Sequence, residues 1–277
     1  MTTHLTVTGT SWVTPVVKRV HFRSDDLSAF AESVQTDRYV KIVFPKPGVS
    51  YPEPLDLRAL RGTIPPEHLP DVRTYTALHP DPGAGTLAID FVVHGDEGVA
   101  GPWAASAEPG DALIVNGPGG GYRPDPDADW HLLVGDESAM PAITAALDVL
   151  DAGATARVVL LVDRAGHEPV LPLPANAQVT HVYRDAAVKE DTATPEPLVQ
   201  AVRELEWLPG RVHAFVHGEA QETMLGLRPL LLKERGVDRS RLSVSGYWRR
   251  GRTEEGFRVW KSELAQAEAS GADSPAR

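Results

Sequence analysis

Arg73-Thr74-Tyr75-Thr76 gathers a guanidinium, a phenol ring and two hydroxyls into one short run. A guanidinium binds a diphosphate through paired N–H donors, an aromatic ring lies against a flat heterocycle, and a hydroxyl hydrogen-bonds the edge of such a ring. Downstream come Asp90-Phe91-Val92-Val93-His94-Gly95 and then Gly98-Val99-Ala100-Gly101-Pro102-Trp103-Ala104. The first reads as the end of a strand, the second as a small-residue turn opening a helix. Backbone N–H groups at a helix start, with a favourable dipole, suit phosphate. In this order the residues fit a flavin nucleotide, with Arg73 on the diphosphate, Tyr75 on the isoalloxazine ring and Thr76 near flavin N5. Plainer roles stay open: a solvated strand position for Arg73, a core plug for Trp103.

A second group lies beyond the middle of the chain. The apolar run His131-Leu132-Leu133-Val134 leads into Gly135-Asp136-Glu137-Ser138 and a helix beginning near Pro141. Ser138 is the expected N-cap, with Pro141 in the first turn. The carboxyl edge of a parallel strand is where open α/β sheets bind ligands, so a pyridine nucleotide is the expected occupant. The three-glycine dinucleotide fingerprint is missing, and the pair Asp136-Glu137 is awkward beside a phosphate. Asp163 could take a ribose diol and Arg164 an extra phosphate, which leaves NADH and NADPH both open. Lys41, inside the apolar strand Tyr39–Phe44, needs a wet destination and is the first choice for drawing in an anionic substrate. Arg249, Arg250, Arg252, Arg258 and Lys261 cluster near the C-terminal helix. Tyr247 and Trp248 end a strand, where a ring could cover a flavin or plug a core. The ten histidines show no metal-ligand spacing, and no nucleophile elbow is present, so no bound metal is expected.

These groups need a scaffold of two units. The 277 residues suffice for two cores, and 42% apolar with 23% charged residues is ordinary for a globular chain. A net charge of −11 argues against nucleic acid and anionic membranes as main partners. The chain has no cysteine, which excludes thiolate chemistry and iron–sulfur ligation, so redox work needs an organic cofactor. No signal peptide and no bilayer-length apolar run is visible; a cytoplasmic protein without membrane insertion is expected.

The first half reads as short strands: Val13–Phe22, Tyr39–Phe44, Val72–Leu78, Thr86–Val93 and Ala112–Val115, with Pro45–Pro70 a surface loop and a short helix at Trp103–Ala107. Such spacing suggests a small antiparallel barrel. Tyr122–Asp129 is the expected linker. Beyond it, strands at His131–Val134, Arg157–Val162, Val179–Tyr183, Val212–Val216 and Arg241–Val244 alternate with helices at Pro141–Leu150, Pro197–Trp207, Thr223–Glu234 and Glu254–Ala269. This alternation predicts a parallel sheet covered by helices.

The ordered set of Arg73–Thr76, Asp90–Gly95, Gly98–Ala104, Pro109-Gly110-Asp111, Val134–Ala142, Val216-His217-Gly218-Glu219 and Gly246–Gly251 resembles the siderophore-interacting protein family. These are FAD-dependent ferric-siderophore reductases related to ferredoxin–NADP reductases. The resemblance implies a six-stranded antiparallel β-barrel FAD domain over residues 1–122 and a parallel-sheet α/β NAD(P)H-type domain over residues 130–277. It implies FAD held by Arg73, Thr74, Tyr75 and Thr76, with Asp90, Phe91, Val92, His94, Gly98, Val99, Ala100, Gly101, Trp103 and Ala104 around its ribityl and diphosphate. It places Asp136, Glu137, Ser138, Gly218, Glu219, Tyr247 and Trp248 at the cofactor and donor side. A ferric siderophore is the implied substrate, near Lys41, Arg249 and Lys261. NADPH or NADH is the implied donor, with ferredoxin as an alternative partner. Three positions depart from the pattern: Leu78 where many members have Arg, Gly101 where Ser is common, and Ser138 where Thr is common. A general NAD(P)H–flavin oxidoreductase and a non-catalytic siderophore binder are the alternatives.

Overall fold

The computed structural model describes residues 2–52, 55–60, 62–93, 95–96, 98–184, 196–252 and 254–270. Strands β1 (Thr2–Thr14), β2 (Val17–Arg23), β3 (Tyr39–Phe44), β4 (Asp71–Asp81), β5 (Thr86–Val92) and β6 (Ala112–Gly119) close into an antiparallel barrel in the order β1-β2-β5-β4-β3-β6. Strand β1 pairs with both β2 and β6, so no edge is left open. Alternation does the sorting: in β2, Val20 and Phe22 point inward while His21 and Arg23 point to solvent. With Leu5, Ile42, Ile89 and Phe91 they form the barrel core.

The structure redraws several sequence boundaries. Val13–Phe22 is not one strand. Pro15 and Val16 make the turn of a hairpin in which Thr14 faces Val17, because proline presets a turn and withdraws a ladder donor. The Pro45–Pro70 segment holds a short helix, α1 (Leu57–Leu60), and Leu55 and Leu60 bury against Val43. Strand β6 runs on past Val115, and its Gly119 passes beneath the Tyr39 ring, where a Cβ would stand 2.4 Å from Cζ.

The second unit is a parallel sheet of β7 (Trp130–Asp136), β8 (Thr155–Val162), β9 (Asn176–Tyr183), β10 (Val212–Glu219) and β11 (Leu242–Trp248), ordered β11-β10-β7-β8-β9. Strands β7 and β8 are near-continuously apolar because both faces of the sheet are covered. Helix α3 (Met140–Leu147) covers the face turned to the barrel, and α4 (Pro197–Glu204) covers the other. The helix expected over Thr223–Glu234 is wound in wide π-type turns, Gln221–Leu227 and Leu230–Glu234, with the Arg235 N–H reaching back to the Leu230 carbonyl at 3.0 Å. Helix α5 (Glu254–Ser270) seats Phe257, Trp260 and Leu264 against Ala220. α2 (Ala100–Ser106) belongs to the barrel.

The barrel and the sheet unit meet at several points. Leu78 of β4 is fully buried with Ala88 and Ala145 of α3. The expected linker is a fastened strap: Asp37 accepts the Gly121 and Tyr122 N–H groups at 2.9 Å, and the Asp125 N–H donates to His213 Nδ1 at 2.9 Å. Strand order reverses between β7 and β10, so the crevice of the sheet opens at their carboxyl ends.

Candidate active site at the barrel and the sheet edge

Strand β4 sets Arg73, Thr74, Tyr75 and Thr76 opposite Ile42, Lys41, Val40 and Tyr39 of β3. Arg73 is half-buried, donates to the Val72 carbonyl at 3.0 Å, and pairs with no carboxylate among the described residues. Tyr75 lies 4.6 Å from Phe91, tilted 39°, and Phe91 in turn lies 5.6 Å from Trp103. Trp103 also sits 6.3 Å from Phe22 and 6.2 Å from Phe44. It is the plug of the barrel, and Phe91 and Ala104 are core residues behind the site. Tyr75, Val93, Val99 and Trp103 pack on this same core, which brings the strand motif and the helix start together.

Asp90 is buried and paired within the barrel wall. Arg19 of β2 holds it by two bonds of 2.7 and 2.8 Å, and the shared bond raises the Arg19 pKa. The helix α2 start carries no side-chain cap, and Gly98 enters it at φ +77°. Gly101 serves close packing: a Cβ there would stand 3.2 Å from the Val92 carbonyl. Ala100 is buried, Val92 is half-buried, and His94 lies outside the described residues. A half-buried guanidinium without a carboxylate among the described residues, on the strand that carries a flat ring, together with an uncapped helix start, fits the diphosphate and ring of a flavin nucleotide.

At the crevice the chain meets its own donors. Asp136, 2% exposed, accepts the Ser138 N–H at 2.9 Å and its hydroxyl at 2.5 Å through Oδ1. Through Oδ2 it accepts the Glu219 N–H at 2.9 Å and the Trp248 indole N–H at 2.8 Å. Gly218, at φ +142°, leaves room for this carboxylate, since a Cβ would come within 2.9 Å of it. Ser138 is therefore a clasp on Asp136 and not the expected N-cap; Ala139 takes that position without a side-chain bond. Glu219 accepts the Glu222 and Arg250 N–H groups at 3.0 and 3.1 Å. Glu137 pairs with Arg184; burial raises its pKa against the pull of that arginine.

The basic candidates separate. Lys41, Tyr39 and Thr74 are exposed together on the outer face of β3 and β4. Arg249 is buried instead, stacked 4.3 Å over Trp260 and bonded to Gln221 at 3.1 Å. Lys261 donates to the Gly246 carbonyl at 3.2 Å and lies over Phe257. Both fasten α5 to the sheet. Sequence reasoning missed Glu222, 1% exposed with no donor to either carboxylate oxygen among the described residues, and His217, bonded through both ring nitrogens. A glutamate in an otherwise helical stretch carries no mark of burial in the sequence.

Comparison with known proteins finds matches for both units of the chain. The family described as siderophore-interacting FAD-binding domain matches residues 6–122, and the family described as siderophore-interacting protein matches residues 128–251. An uncharacterized protein of Mycobacterium tuberculosis is 48% identical over 271 residues, covering 95% of each chain. The ferric vibriobactin reductase of Vibrio cholerae is 34% identical over 251 residues, covering 89% of each. The crystal structure of a siderophore utilization protein from T. fusca superposes with a TM-score of 0.72 at 35% identity, over 91% of this chain and 94% of that one.

Proposed function

The chain belongs to the siderophore-interacting protein family, and from that premise we propose that it is an FAD-dependent reductase of ferric siderophores, drawing on NAD(P)H and releasing Fe(II) in the cytoplasm. The observation that carries this reading is Arg73, a half-buried guanidinium with no carboxylate partner among the described residues, on the strand that also bears Tyr75 and Thr76. The relationship to a ferric vibriobactin reductase supports the substrate class.

Bound FAD would supply a carrier that takes a hydride and hands its two electrons on singly. The protein contributes placement. Arg73 neutralises diphosphate charge, and Phe91 fixes the tilt of the Tyr75 ring. Thr76 offers its hydroxyl to the ring edge. Trp103 fills the barrel behind the site and keeps water out. Lys41, exposed beside Thr74, draws an anionic ferric complex to the outer face of β3 and β4 despite the negative whole. A nicotinamide donor belongs at the crevice between β7 and β10. Its phosphates must find partners other than the Ser138 and Glu219 N–H groups, which Asp136 already holds.

A visible spectrum tests the proposal. The purified protein, supplied with FAD, should be yellow, bleach with NADPH or NADH, and regain colour on adding a ferric siderophore while Fe(II) appears in a chelator trap. Bleaching by reduced ferredoxin alone would move the donor to that partner. A protein that takes up no FAD sinks the reading.

A further inference from the structure

His217 is buried within the face of the sheet turned to the barrel, stacked 3.8 Å over Phe215, and 4% exposed. It stands opposite Ser245 of β11, midway between Ser243 and Tyr247 on the same face of that strand. Its ring spans the two: Nε2 lies 2.9 Å from Ser243 Oγ and Nδ1 lies 2.9 Å from the Tyr247 hydroxyl. The two outer residues, Ser243 and Tyr247, are each half-buried and lie at opposite ends of the network. Ser243 lines an open cavity of about 350 Å³ with Arg123, His213 and Ser240, at the joint of barrel and sheet. Tyr247 lies at the carboxyl end of β11, next to Trp248, whose indole bonds Asp136 at the crevice.

Burial, helped by the Lys261 charge, lowers the His217 pKa to about 3, so the ring is neutral near pH 7. Burial keeps the Tyr247 hydroxyl protonated. A neutral imidazole has one N–H donor and one acceptor, and a hydroxyl can be either. The chain can therefore run in two directions, O–H to Nδ1 with Nε2–H to Oγ, or the reverse. Switching between them moves one proton from end to end without forming an imidazolium.

We propose that Tyr247, His217 and Ser243 form a proton relay from the crevice to the cavity beside Ser240. The proposal rests on the reductase reading. One NAD(P)H carries two electrons and a proton as hydride; two ferric complexes take one electron each, leaving NAD(P)⁺, two Fe(II) and one proton that must reach solvent. Tyr247 accepts that proton while passing its own to Nδ1. Nε2 releases one to Ser243, which gives one to water in the cavity. His217 and Ser243 are positioning and relay groups that need not touch substrate.

Two measurements decide it. In the full-length holoprotein labelled with ¹⁵N-histidine, the His217 nitrogens should show shifts averaged between donor and acceptor forms from about pH 6 to 9, since a relay needs both tautomers. One fixed tautomer overturns the relay. Second, holoprotein reduced with dithionite and desalted is mixed with ferric citrate and phenol red in weak buffer. His217→Gln keeps an amide donor and acceptor but cannot tautomerise. Proton release in this variant should lag by at least about tenfold, with Ser243→Ala lagging likewise. Wild-type release rates in folded His217→Gln would reduce the network to a structural tie. Ferrous ion trapped in the same mixture reports the reductase reading separately: if wild-type protein forms none, that reading fails, and the tautomer measurement still judges the relay.

Discussion

The Trp248 indole N–H donates to Asp136 Oδ2 at 2.8 Å, tying the carboxyl end of β11 to that of β7 across β10. The same oxygen takes the Glu219 N–H, so one carboxylate clamps three strand ends at the crevice. A hydrogen bond to a charged acceptor in such a buried place contributes about 1.5–3 kcal/mol. Trp248→Phe keeps a ring and removes the donor. Urea denaturation should show a loss of stability in that range; an unchanged midpoint would deny the clamp.

Arg73→Ala should leave the barrel folded and weaken FAD retention by about tenfold or more, the equivalent of one charge-assisted bond. Dilution followed by fluorescence of released flavin measures this. Retention equal to wild type would remove Arg73 from the diphosphate role.

Lys41→Glu reverses the charge on the outer face of β3. The KM for an anionic ferric siderophore should rise about threefold or more at low salt, with the difference shrinking as salt is added. Bleaching by NAD(P)H should be unaffected. Equal kinetics in both half-reactions would make Lys41 a plain surface residue.

Glu222 sets a pH dependence. Burial, reinforced by Glu196 and Asp136, raises its pKa to about 8 from 4.5, so the folded state holds its proton across the window in which the unfolded chain loses it. The folded state binds more protons between these values, so this contribution is fully present below 4.5 and is lost as pH rises toward 8. His217 acts with the opposite sense: its folded pKa of about 3 lies below 6.5, and stability falls as pH drops through that interval. Glu222→Gln imitates the protonated acid. Calorimetry at pH 8 should show its Tm raised by about 2–4 °C for each kcal/mol recovered, with little change at pH 5. A parallel offset at both pH values would refute the protonated state.

Leu78→Arg tests a departure from the family pattern. Leu78 is buried against Ala88 and Ala145 at the contact between barrel and α3. An arginine there would bury a charge without a partner and cost about 3 kcal/mol or more. Tighter FAD binding by a stable variant would show that the position opens on the diphosphate instead.

Much of the architecture was readable along the chain because it rests on local rules. The loose alternation over Val13–Phe22, most of which became β2, and the continuous apolar runs His131–Val134 and Arg157–Val162 announce a barrel followed by a doubly covered sheet. The spacing of Arg73, Tyr75 and Thr76 was likewise visible as chemistry in a strand. What the chain could not disclose was which polar groups would find one another. Arg19 and Asp90 are paired by barrel closure, and Asp136 meets Trp248 only because β10 lies between β7 and β11. Tyr247 was visible in the sequence as a ring at a strand end, but nothing there joined it to His217; parallel register alone sets one imidazole between two hydroxyls. Periodicity is a property of neighbours along the backbone, whereas partnership and burial belong to residues brought together from far apart. The sequence therefore determined the elements and the candidate chemistry, and tertiary packing decided which side chains stay open to a ligand and which are spent holding the scaffold.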